Sequence, residues 1–190
     1  MAYRRAVLGI LVVGALAVVA LGVVIYGITV GIEVTAGPST RARLVTIEDL
    51  GLERDPANET LIGRRYLDGR ELLSYEYELA DEGLSVSSVS ISGRSEADAE
   101  IIYQDRVARA AVFTETLDRE VYVSNSILLS TWGDRATANT LSIDAETVGC
   151  TVVTREGRHV YSIIVMGVPF ETDTLRHDLR RAFEQAEASW

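Results

Sequence analysis

Between Arg5 and Glu33 the chain carries no charge, and this uncharged stretch, residues 6–32, limits its options more than any other feature. Crossing a hydrocarbon core takes about 20 helical residues, whereas the apolar region of a cleaved export signal usually runs to only ~7–15. Length therefore predicts a retained transmembrane helix over residues 6–32. Tyr26 closes a block that opens at Ala6, where an interfacial aromatic is expected. A cleaved signal is the alternative, with Val34-Thr35-Ala36 as its processing site. No cysteine lies at the end of the stretch, which excludes a lipoprotein signal, and Arg4-Arg5 lacks the surroundings of a twin-arginine signal.

Orientation follows from the flanking arginines. Arg4 and Arg5 abut the stretch, while Arg41 and Arg43 lie well beyond its far end. Positive charge close to a span stays cytoplasmic. The expected organisation is a cytoplasmic tail (1–5), the transmembrane helix (6–32), a linker rich in Gly, Pro, Ser and Thr (33–42), and an extracytoplasmic domain (43–190). That makes a single-pass protein of the cell membrane with the lipid bilayer as its first partner. Gly9, Ala20, Gly27 and Gly31 fall on one face of the helix, and Gly27 and Gly31 have the small-xxx-small spacing that lets helices approach closely.

Composition excludes several chemistries. All 18 basic residues are arginine, so Schiff-base lysine catalysis, a covalently held pyridoxal cofactor and a phosphate-loop lysine are ruled out. From Ala36 onward, 27 acidic residues oppose 16 arginines, a net −11. Such a surface repels phosphate backbones, so nucleic acid is not an expected partner. Cys150 stands alone in an apolar run, "TVGCTVV", which rules out an intrachain disulfide and reads as a small buried hydrophobe.

Beyond the linker the sequence is irregular until Glu71. In "ELLSYEYELA", Leu73, Tyr75, Tyr77 and Leu79 alternate with polar residues, the pattern of a half-buried strand. "DEG" turns the chain into "LSVSSVSIS", whose apolar positions shift from Leu84 and Val86 to Val89 and Ile91. A strand keeps a period of two, so the shift predicts a bulge at Ser87-Ser88. Ser95 caps a helix with Asp98 in a capping-box arrangement, and Ala99, Ile102, Tyr103, Val107, Ala110 and Phe113 form its apolar face. Strand-like runs follow at "EVYVSNSILLS", "ATANTLSID", "ETVGCTVVT" and "HVYSIIVMG", the last two joined by "REGR". Leu175, Leu179, Ala182, Phe183 and Ala186 give a final amphipathic helix. Hairpins predominate, so the expected fold is α+β: a two-layer domain of mostly antiparallel sheet with both helices on one face.

The search for chemistry returns little. His159 and His177 have no second histidine or cysteine at ligand spacing and read as surface residues. No serine lies in G-x-S-x-G. No cofactor or metal is expected, and no catalytic set is nominated. Tyr75, Tyr77, Tyr103, Tyr122 and Tyr161 could line a pocket between sheet and helix, or serve an ordinary core with hydroxyls at the rim. Trp132, in a loop, would suit partner contact. The sequence thus points to a non-catalytic accessory or interaction subunit beside a membrane-protein partner. A membrane-tethered domain for a small ligand is the alternative, and an enzyme with an unrecognised site the third reading.

Overall fold

The structure is a computed structural model and describes residues 21–117, 120–126, 133–168, 173–174, 177–178 and 180–181. Residues 21–29 are helical. They lead into β1 (Ile32–Val34), α1 (Pro38–Arg41), β2 (Glu59–Arg65), β3 (Glu71–Leu79), β4 (Leu84–Ser92), α2 (Glu96–Thr116), β5 (Tyr122–Asn125), β6 (Arg135–Ile143), β7 (Glu146–Glu156) and β8 (His159–Met166). All eight strands form one antiparallel sheet in the order β1-β2-β3-β4-β8-β7-β6-β5. The fold is α+β, and two four-stranded meanders meet at β4 and β8.

The long helix links the meanders. Ser95 adopts an extended conformation and its hydroxyl accepts from the Asp98 amide at 3.2 Å, so the expected N-cap is present. The Asp98 carboxylate reaches back to the Arg94 amide rather than to that of Ser95. At ~1.5 Å per residue, 21 residues span about 30 Å, enough to carry the chain from the middle of the sheet to its far edge.

Register assigns every side chain to one of two faces. On the helix face, Ala99, Tyr103 and Ala110 of α2 bury Val153 of β7 and Val160 of β8. On the opposite face, Leu73, Tyr75, Tyr77, Val86, Cys150, Val152, Ile163 and Val165 are covered by Leu44, Val45 and Ile47 from the segment before β2. Two hydrogen bonds fix that cover: the Val45 amide donates to Ser88 Oγ at 3.1 Å, and the Ile47 amide to the Tyr75 hydroxyl at 3.2 Å.

Three expectations change here. There is no bulge at Ser87-Ser88, because β4 keeps continuous register with both β3 and β8. Its apolar positions change parity because β4 is buried on both faces toward its end: Val86 faces the covering segment, Val89 and Ile91 the helix side. The register shift lies instead at Leu141–Ser142. Both faces of the sheet are covered, so the two-layer picture is incomplete. The residues of the expected final helix, Leu175, Leu179, Ala182, Phe183 and Ala186, lie outside the described residues; of its neighbours, Arg181 pairs with Asp49, just after the covering segment rather than beside α2. Finally, part of the expected linker is ordered, since β1 pairs with β2 from Ile32↔Arg65 to Val34↔Gly63. Among the described residues no helix is long and apolar enough to cross a membrane, and residues 6–20 of the expected span lie outside them.

Candidate functional site

Strand register separates the tyrosines expected to line a pocket. Tyr75, Tyr77 and Tyr161 lie on the segment face and Tyr103 on the helix face, all four buried, while Tyr122 is exposed on the edge strand. They do not meet in a common cavity. The Tyr75 hydroxyl accepts from the Ile47 amide, and its ring lies under Arg41, whose guanidinium carbon is 5.2 Å from the centroid. The Tyr103 hydroxyl bonds Thr137 at 2.7 Å, and the Tyr77 hydroxyl accepts from the Asp55 amide at 3.4 Å. These are core tyrosines whose polar ends are satisfied where the core meets the backbone. Trp132, Gly9 and Ala20 lie outside the described residues.

Beside Tyr75, Arg41 bonds both Glu48 and Glu59, and Arg54 bonds Glu59 at 2.7 Å. Burial pushes the Glu59 carboxyl upward, but the hydrogen bonds from Arg54 and Arg41 outweigh it and hold the group below the usual carboxylate range. The arrangement is a closed set of ion pairs that ties α1, the covering segment and β2 together.

His159 is a correction. It is buried, not a surface residue, and its Nδ1 lies 3.0 Å from Ser92 Oγ. Register continues this polar row through Glu71, which is paired with Arg43 at 3.1 Å. A serine beside an imidazole is the raw material of nucleophilic catalysis, but Ser92 is only 2% exposed, so no substrate reaches it in this conformation. His177 is exposed, as expected. Burial pushes the Cys150 thiol far up, leaving it an inert core group. No cluster of three His, Cys, Asp or Glu suited to a metal occurs among the described residues. An open depression of about 440 Å³ lies at the β3–β4 turn, lined by Asn58, Leu79 and the acidic Glu78, Asp81 and Glu82. None of the tyrosines borders it.

The most distinctive arrangement is at the exit of the N-terminal helix. The Leu67 amide donates to the Gly27 carbonyl at 3.1 Å, and Arg70 Nη2 to the Ile28 carbonyl at 3.0 Å. A Cβ at Gly27 would lie 2.3 Å from Leu67 Cδ1, and one at Gly31 would lie 3.1 Å from the Tyr66 ring. Gly31 also has φ +76°, the left-handed conformation that ends a helix and favours glycine. In this chain, then, Gly27 and Gly31 admit the β2–β3 turn. Arg70 lies over the Tyr66 ring at 4.9 Å and pairs with Asp68 at 2.9 Å. Sequence reasoning missed Tyr66, Leu67 and Arg70 because nothing in "RRYLDGR" shows which part of the chain it meets. Neither protein-family models, nor curated proteins, nor solved structures contain a match to this chain.

Proposed function

We propose that the chain is a non-catalytic accessory or interaction subunit, anchored by a single N-terminal span in the cell membrane, with its domain on the extracytoplasmic side. One observation carries the anchored reading. Leu21, Val23, Val24, Ile25, Tyr26 and Val30, on and just after helix 21–29, are 39–62% exposed among the described residues. Six such side chains on about three turns form a surface that water disfavours by roughly 25 cal/mol per Å² of apolar area. They continue the uncharged stretch from Ala6, and a hydrocarbon environment is the one that suits them.

The accessory role rests on what the domain offers. Tyr75, Tyr77, Tyr103 and Tyr161 are spent on the core, whereas Ile101 and Val112, 70% and 60% exposed, stand on the outer side of α2. Two apolar side chains held outward on one side of a long helix favour a protein partner over a small ligand. Extraction of the tagged chain from native membranes in mild detergent, followed by size exclusion and mass spectrometry, tests this. Co-elution with one membrane protein at fixed stoichiometry supports the role. Elution alone, under conditions that keep other complexes intact, refutes it.

A further inference from the structure

We propose that the β2–β3 turn, residues 66–70, rests on the lipid surface and seats the domain against the bilayer that holds its own span. This rests on the anchored reading above and adds which surface faces the lipid, and that the connection is rigid.

The rigidity follows from the end of helix 21–29. A helix leaves its last carbonyls without intrahelical partners, and near a membrane such groups are costly unless bonded. Three of the last four have a donor: Tyr26 O accepts from the Val30 amide at 2.8 Å, Gly27 O from the Leu67 amide and Ile28 O from Arg70. Two of these three donors belong to the β2–β3 turn, so the domain itself caps the helix. Three residues after Thr29 the chain is already in β1. No flexible tether separates helix from sheet.

The depth follows from length. About 20 helical residues cross the hydrocarbon core, and counted from Ala6 they end at Ile25. Leu67 meets the helix at Gly27, two residues beyond, and is 52% exposed; Ile32 is 54% exposed. Two large apolar side chains at this level match the boundary between acyl chains and headgroups, with Tyr66 and Arg70 in the positions that aromatic and arginine anchors take.

Charge agrees. The chain as a whole is −10, yet most carboxylates around the turn are engaged, Asp68 with Arg70 and Arg94, Asp98 with Arg94, and Glu71 with Arg43 and Arg65, while the exposed Glu33 stands opposite Arg64 in register. Arg106 of α2 has no ion pair or hydrogen bond among the described residues, and its Nε is buried without a partner. Burial and the neighbouring Arg109 weaken its hold on the proton, while Asp105 and Tyr66 act the other way. An anionic phosphate at this face adds counter-charge to an arginine whose Nε has no partner among the described residues.

The test uses the full chain in lipid nanodiscs containing phosphatidylcholine and phosphatidylglycerol, with Cys150→Ala as background. Single-cysteine variants Val23→Cys, Leu67→Cys, Ile32→Cys and Tyr122→Cys are labelled with a fluorophore and quenched by lipids carrying a nitroxide at the headgroup or along the chain. Tyr122 is on β5, the opposite edge of the sheet from β1. The labels at 67 and 32 should be quenched several-fold more than that at 122, most by the shallow nitroxides, with position 23 quenched by the deep ones. If 23 is quenched but 67 and 32 match 122, the seating is wrong and the anchored reading stands. If none is quenched, both fail. Shielding of 67 and 32 from lipid nitroxides and aqueous iodide alike means that protein covers the turn, which also overturns the proposal.

Discussion

Replacing Tyr75 with phenylalanine removes one oxygen atom and should cost the domain about 2 kcal/mol. The ring stays, so the apolar burial and its contact with Arg41 are unchanged. What is lost is the acceptor for the Ile47 amide, 3.2 Å away in a region where Tyr75 and Ile47 are both completely buried. No water replaces the hydroxyl there, and a buried donor left unbonded costs roughly 1–3 kcal/mol. With a urea dependence of about 2 kcal/mol per M for a domain of this size, the midpoint should fall by about 1 M. Tyr77→Phe is the internal control: its hydroxyl accepts from Asp55 at 3.4 Å in a part-buried position where water can substitute, so its effect should stay below ~1 kcal/mol. Urea titration of the full chain in mild detergent, followed by near-UV circular dichroism, gives both midpoints. Hydrogen exchange then reads the Ile47 amide directly, and its protection should drop in Tyr75→Phe by more than global destabilisation explains. Equal midpoints for the two variants, or an unchanged Ile47 amide, would show that the hydroxyl does not hold the covering segment and that the tyrosine is free for another role.

Other perturbations test other parts of the fold. Asp144 and Ala145 form the two-residue β6–β7 turn with φ +50° and +67°, a conformation that costs a non-glycine residue about 1–2 kcal/mol; after glycine's own entropic cost, Ala145→Gly should stabilise by roughly 0.5–1 kcal/mol, read as a higher urea midpoint. At Gly149 a Cβ would lie 2.2 Å from the Val165 carbonyl oxygen, so Gly149→Ala must push β7 from β8 and should cost about 3 kcal/mol, measured in the same titration. The hydrogen bond from Arg94 holds the Asp98 carboxyl low, and arginine bonds overcome burial to do the same for Glu59 and Asp68. Depressed carboxylates bind protons more readily in the unfolded chain, so their contribution is full above pH ~5 and lost as pH falls through and below about 4. Glu59→Gln with Asp98→Asn should flatten that acid limb of a pH series of midpoints. Asp178, raised by burial, has the opposite sign and does not produce the limb.

The elements that announce themselves in the sequence are those buried on one side only. β3 shows its alternation because Leu73, Tyr75 and Tyr77 face the core while Glu76 and Glu78 face water. Ser95, followed by the apolar face of α2, gives the helix its start, and the "REGR" turn marks the β7–β8 hairpin. Burial on two faces hides the rest. Val89 and Ile91 sit on the side opposite Val86, which imitates a bulge in a strand that has none. Leu44, Val45 and Ile47 cover half the core from an irregular segment with no period at all. His159 looks polar in the chain and is buried because register sets it against Ser92. For the site, the separation of Tyr103 from Tyr75 by the thickness of the sheet, and the docking of Leu67 onto Gly27, are long-range facts that local pattern does not carry.

The anchored reading can be tested most directly by washing native membranes at alkaline pH and taking the intact mass of the protein in each fraction. A retained span predicts the protein in the membrane pellet with residues 6–32 still part of it, at an intact mass that includes them. A soluble product beginning near Thr35–Gly37 would contradict it: the apolar stretch would then be an export signal, and helix 21–29, its capping by the β2–β3 turn and the lipid-facing surface would have no part in the working protein.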